Sequence, residues 1–167
     1  MLIHADIEAV CNRLRARDRE ELACYGWTPA DATSAFLQPA VLARAFHDAH
    51  GPQALIAFHA LTPATLAVSL MATDRWPAVA RRVFRWGHAS AKPLLLARGF
   101  LRAECRTLEG HADAIRFLER LGFVCECHVP LFGADGATFI QYAWRLIDHV
   151  PFQVTENAAA ATATTAP

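Results

Sequence analysis

Two apolar runs divided by a single break constrain this chain more than any other feature. Residues 54–61 read ALIAFHAL, residues 65–72 read TLAVSLMA, and Thr62-Pro63 separates them. Each run is apolar at nearly every position, as in strands covered on both faces of a sheet. A helix is expected from about Arg75, and a third strand over residues 100–107. In that strand Leu101, Ala103 and Cys105 alternate with Arg102, Glu104 and Arg106, which predicts one wet face. Strand, helix, strand is a crossover unit, and such crossovers give parallel neighbours. Ligands in such sheets gather beyond the carboxyl ends of the strands. Here that means Met71, Ala72, Thr73, Asp74 and the first turn of the helix.

A chain of 167 residues with 54% apolar content can bury a substantial core as one domain. Sixteen basic and sixteen acidic residues cancel, so no overall charge argues for nucleic acid. The five cysteines are odd in number, and Asp6 and Glu8 interrupt any apolar leader at the start. Reduced thiols in a cytoplasmic protein are the expectation. The 54–72 stretch approaches the length of a membrane span, but Pro63 at its centre, between Thr62 and Thr65, fits a hairpin better.

The rest of the chain reads as alternating elements. A short strand over residues 2–5 is expected, then a helix capped by Asp6 and stopped by Gly26. Its apolar positions are Ile7, Val10, Cys11, Leu14, Leu22 and Tyr25. The charged run from Arg13 to Glu21 reads as its solvated face. Thr28-Pro29-Ala30-Asp31 starts a second helix that ends before Pro39. A strand over residues 41–47 completes an antiparallel meander with the runs at 2, 54 and 65. Pro93 should kink the helix that begins at Arg75 or divide it. A helix over residues 111–121 should end at Gly122 with positive φ, and strands over 124–129 and 138–146 close the domain. Gly133, in the last loop, is expected to matter less than Gly122. Residues 151–167 are Ala/Thr-rich and predicted to be disordered, leaving a domain over residues 1–150.

This order of elements resembles the GNAT superfamily of acyl-CoA-dependent N-acyltransferases. The sharpest match is the run from Ala114 to Phe123, AIRFLERLGF. It is similar to the family's fourth-helix pattern, in which an Asn is followed at a distance by Ala-Ile-x-Phe-Tyr-x-x-x-Gly-Phe. A narrower resemblance is to GNAT-like proteins of short-tailed bacteriophages, which include acetyltransferase-like and internal virion proteins. It is carried by Arg17-Asp18-Arg19-Glu20-Glu21, by Ala72-Thr73-Asp74 and by the same 114–123 run.

The resemblance implies an α/β fold, a central mixed sheet flanked by about four helices, and acetyl-CoA or another acyl-CoA as co-substrate. It implies an arm-binding strand edge at Leu70, Met71 and Ala72, and phosphate contacts at Thr73, Asp74, Arg75 and Trp76. The acceptor would be an amine. An alternative is a non-catalytic GNAT fold serving virion assembly or a host target. Three departures bear on that choice. The turn TDRWPA (73–78) lacks the glycines of the family's phosphate loop and carries Asp74. Leu118 stands at the usual tyrosine, and His111 at the usual asparagine.

Other candidates carry two readings each. Glu104 is either a general base facing the cleft or a partner of Arg102 or Arg106. His111 is a site candidate through its matched position. Arg75, Arg81, Arg82 and Arg85 either reach a phosphate or form a wet helix face. Cys125-Glu126-Cys127-His128 has ligand-type residues, but strand alternation separates them and no second pair supports zinc, so Cys125 and Cys127 are expected to be buried thiols and no metal is expected.

Overall fold

The computed structural model describes residues 2–147; the predicted tail over residues 151–167 lies outside them. Three short helices come first: α1 (His4–Cys11), α2 (Ala16–Cys24) and α3 (Pro29–Leu37). They are followed by β1 (Leu42–Asp48), β2 (Gly51–Ala60), β3 (Thr65–Ala72) and α4 (Pro77–Trp86). A π-helical turn (Gly87–Ala91) then leads to α5 (Lys92–Ala97), β4 (Arg102–Leu108), α6 (Ala112–Leu121), β5 (Val124–Val129) and β6 (Phe139–Arg145). The strands form one mixed sheet in the order β1-β2-β3-β4-β6-β5, in which only β3 and β4 run parallel.

The apolar runs are explained by the two layers on this sheet. Ile56 and Phe58 of β2 join Leu66, Val83, Leu121 and Trp144 on one face. Leu55 and Ala57 join Ile7, Val10, Leu14 and Phe36 on the other. A strand buried on both sides needs apolar residues at every position rather than every second one.

Local signals set several boundaries. Thr28 and Asp31 cap α3 reciprocally, with Thr28 N–H on Asp31 Oδ2 at 2.7 Å and Asp31 N–H on Thr28 Oγ1 at 3.3 Å. Pro93 does not end its helix. The π turn just before it widens the backbone where the proline ring would meet a preceding carbonyl. Gly122 ends α6 at φ 91°.

The structure corrects three expectations. Residues 2–5 hold no strand, because α1 starts at His4. The expected long first helix is two helices, broken where Leu14 bridges Thr73 and Arg15 N–H bonds Ala72 O at 3.0 Å. Cys125 and Cys127 are exposed, since β5 is an edge strand whose register shifts between them. Among the described residues, no helix is long and apolar enough to cross a membrane. No group of three or more His, Cys, Asp or Glu among them is placed to hold a metal ion.

Candidate functional site: a cleft between two diverging strands

β3 and β4 pair over three residues only, Thr65–Ala67 against Arg102–Glu104. Beyond that point β3 follows β2 to Ala72, and β4 follows β6 to Leu108. The divergence opens a cleft of about 420 Å³. Leu70, Met71 and Trp76 line one wall, and Glu104, Cys105 and Thr107 the other. At the wide end Ala72 N–H donates to Asp18 Oδ2 at 2.8 Å. The backbone groups of Ala72 therefore face the gap, and strand alternation turns those of Leu70 and Val68 the same way.

The floor of the cleft is polar. Glu21 Oε2 accepts from Thr107 Oγ1 at 2.9 Å, Leu108 N–H at 3.1 Å and His111 Nδ1 at 2.9 Å. Three donors converge on one oxygen, so Nδ1 is the protonated nitrogen of that contact. The other ring nitrogen, Nε2, is buried with no hydrogen-bond partner among the described residues. It stands 3.9 Å from Asp18 Oδ1, beyond hydrogen-bond range. His111 is 4% exposed and Asp18 6%. Gln141 Oε1, on the same cleft, is buried without a partner too.

Burial pushes the Asp18 carboxyl above the usual range, against the pull of Arg15, the Ala72 amide and His111. Arg15 Nε lies 2.7 Å from Asp18 Oδ1, and its guanidinium covers Trp76 at 5.5 Å. Burial also pushes the Cys105 thiol up to about 12, so it stays neutral. The Tyr25 phenol is pushed up by burial and then by the Glu21 charge, which keeps its proton in place.

The turn after β3 is built differently. Thr73 N–H bonds Gln53 O at 2.9 Å, Arg75 N–H bonds Thr73 Oγ1 at 3.2 Å, and Trp76 N–H bonds Thr73 O at 2.9 Å. Ala78 and Val79 bond Arg75 O and Trp76 O. The Arg75 side chain pairs with Asp48 at 2.7 Å, not with its neighbour Asp74. Despite a cost from burial, the His50 amide, Arg75 and Gln53 hold Asp48 at about 2.

The sequence candidates thus divide. Leu70, Met71, Trp76, Glu104 and His111 all line the cleft. Ala72 and Thr73 are buried in contacts with the chain itself, and Asp74 and Arg75 are exposed outside the cleft lining. Glu104 Oε2 accepts from Arg102 at 2.9 and 3.0 Å, so it has the arginine partner that was the alternative to a base. Asp18, Glu21, Tyr25 and Thr107 were not read as site residues from the sequence, although Asp18 and Glu21 stand in the Arg17–Glu21 run quoted for the narrower resemblance. For Asp18 a signal existed: it falls at helical spacing between Leu14 and Leu22, a carboxylate on an apolar face.

No family profile matches the sequence, and no curated protein is similar to it. Solved structures are similar. Ard1 from Thermoplasma volcanium superposes with a TM-score of 0.64 at 15% identity, covering 88% of this chain and 95% of that one. The ribosomal-protein-S18-alanine N-acetyltransferase of Escherichia coli gives 0.64 at 14% identity, with 88% and 90% covered. YncA of Salmonella typhimurium, solved with its cofactor acetyl-CoA, gives 0.64 at 12%, with 90% and 94% covered. At these identities the likeness is one of architecture, and it establishes that the chain has the mixed α/β fold of the GNAT acetyltransferases.

Proposed function

We propose that this protein is a GNAT-fold N-acyltransferase whose acyl donor lies in the cleft between β3 and β4. One observation carries the reading: parallel pairing stops after Ala67 and Glu104, leaving the strand edge at Val68 and Leu70 facing a cleft open to a ligand. An acyl-thioester arm that bears amides can pair with such an edge as a further strand would. Acetyl-CoA or another acyl-CoA is the donor class, and an amine the acceptor. In this reading His111 Nε2 receives the proton that the acceptor loses, and Glu21 is the positioning residue that fixes the ring. A backbone N–H of β3 polarises the thioester carbonyl. Leu118 lines the cleft and cannot donate a proton, and Tyr25 holds its own, so the thiolate leaves unassisted and takes its proton from water. The C–N bond forms as the C–S bond breaks.

Calorimetric titration with acetyl-CoA, followed by thiol release in the presence of primary amines, tests this. His111→Asn should leave acetyl-CoA binding intact and lower turnover by about a hundredfold. Absence of binding to the wild type at millimolar acetyl-CoA would sink the reading.

A second reading, a GNAT fold that binds a phage or host partner without catalysis, is favoured by Leu118 and by the internal hydrogen bonds of the 73–79 turn. Silence in the titration would select it.

A further inference from the structure

We infer that this chain recognises its acyl donor by the acylated pantetheine arm alone and has no seat for the donor's diphosphate. The inference rests on the acyltransfer reading and specifies its substrate class.

A helix N-terminus attracts phosphate through amides that lack acceptors, helped by the helix dipole. The start of α4 lacks such amides at most positions. The N–H groups of Thr73, Arg75, Trp76, Ala78 and Val79 already bond Gln53 O, Thr73 Oγ1, Thr73 O, Arg75 O and Trp76 O. Pro77 has no N–H to offer. A diphosphate would have to break these bonds first, so each amide offers it only the excess of a charged over a neutral hydrogen bond.

The side chains give no more help. Arg75 is the one cation of the turn, and Asp48, itself held ionised, neutralises it at 2.7 Å. Asp74 adds an exposed negative charge beside it. Arg15 is committed to Asp18 and Trp76, Arg82 donates to His47 O, and Arg116 pairs with Asp113. Arg81 and Arg85 are exposed on α4, where salt screens their pull.

The arm's own surroundings are the opposite. The backbone edge at Val68 and Leu70 faces the cleft, and Trp76 and Phe117 meet edge to face at 4.9 Å on its wall. An acylated pantetheine carries amides for the edge and an apolar chain for the wall. The same arm comes from coenzyme A or from the phosphopantetheine of a carrier protein, and this site reads what the two have in common.

The experiment compares acetyl-CoA, S-acetylpantetheine and adenosine 3′,5′-bisphosphate in calorimetry on the wild-type chain. Acetyl-CoA and S-acetylpantetheine should bind within about threefold of each other, and the bisphosphate should not compete at millimolar concentration. Acetyl-CoA binding more than about tenfold tighter than S-acetylpantetheine would overturn the inference and leave the acyltransfer reading standing. Binding of neither thioester would overturn both. If both bind alike, an acetylated carrier protein then serves as the third arm: its turnover identifies a protein-borne donor, and turnover of the free thioesters only identifies coenzyme A.

Discussion

At the floor of the cleft His111 Nε2 and Gln141 Oε1 are buried without partners among the described residues, whereas in the turn after β3 the amides of Thr73, Arg75 and Trp76 all have acceptors inside the chain. The two regions are built from the same kinds of group, and both border one cleft. A buried polar atom left unpaired costs about 1–3 kcal/mol, so a fold keeps one only where the rest of the structure holds it in place. Here α2 does the holding, through Glu21 on the His111 ring and Asp18 on the end of β3. In the acyltransfer reading proposed above, the contrast assigns the chemistry to the floor and a structural part to the turn.

The strongest way to break that contrast is at Glu21. Glu21→Leu removes the one oxygen that serves Thr107, Leu108 N–H and His111 together. The expected loss is about 3 kcal/mol or more, because buried donors are left unpaired. Asp48→Leu, at the edge of the turn, should cost clearly less, since Arg75 is half exposed, His50 is exposed, and the buried Gln53 Nε2 keeps Gly51 O at 3.2 Å. Chemical denaturation of both variants checks this. A larger loss at Asp48 would reverse the assignment of the two regions.

A smaller effect is expected at two glycines. A Cβ at Gly133 would lie 2.8 Å from Phe139 Cε2 and 3.1 Å from Cys24 O, the backbone at the end of α2. Gly133→Ala therefore presses on the helix that carries Asp18, Glu21 and Tyr25, at a cost of about 1–3 kcal/mol. Gly122→Ala meets only ordinary contact, with Trp144 Nε1 at 3.6 Å, but must hold φ 91°, at about 1 kcal/mol. Packing thus reverses the ranking expected from sequence, in which Gly133 was the lesser site. Melting temperatures of the two variants decide it, and in the proposed acyltransfer reading turnover should fall only in Gly133→Ala.

These cases also mark what the sequence made legible. β3 runs from Thr65 to Ala72 and β5 from Val124 to Val129, as their patterns predict, because burial writes itself into consecutive residues. The break between α1 and α2 left no such mark. It exists because residues 14 and 15 leave the helix to bond the end of β3, a contact between distant parts of the chain. His111 was reachable through a matched position in a family pattern. Glu21 was not, since its neighbours Arg17, Arg19 and Glu20 read as a wet helix face and only the crossing of α2 over the gap between the strands turns it inward. Cys125 and Cys127 failed for a related reason: alternation says which residues share a face, but not that β5 lies at the sheet edge with a bulge between them.

The smallest expected effect is a difference in sign between the carboxylates of the two regions. Asp48, at the end of β1 and paired with Arg75 of the turn, sits at about 2, below its ordinary value, so the folded state binds its proton less readily than the unfolded chain. Its contribution to stability is complete above about pH 4 and is lost as the pH falls toward 2. Asp18 at the floor is raised, chiefly by burial, so the folded state binds its proton more readily. Its contribution is complete below about pH 4 and declines as the pH rises through the raised value. Asp48→Asn should therefore flatten the loss of stability between about pH 4 and 2. Asp18→Asn, which keeps an oxygen for the Ala72 amide, should flatten the decline on the other side, whatever its constant offset from the lost Arg15 pair. Melting temperature against pH for the wild type and both variants reads the two slopes separately. Slopes of the same sign at the two sites would mean that Asp18 is no more strained than Asp48, and the floor would lose its distinction from the turn.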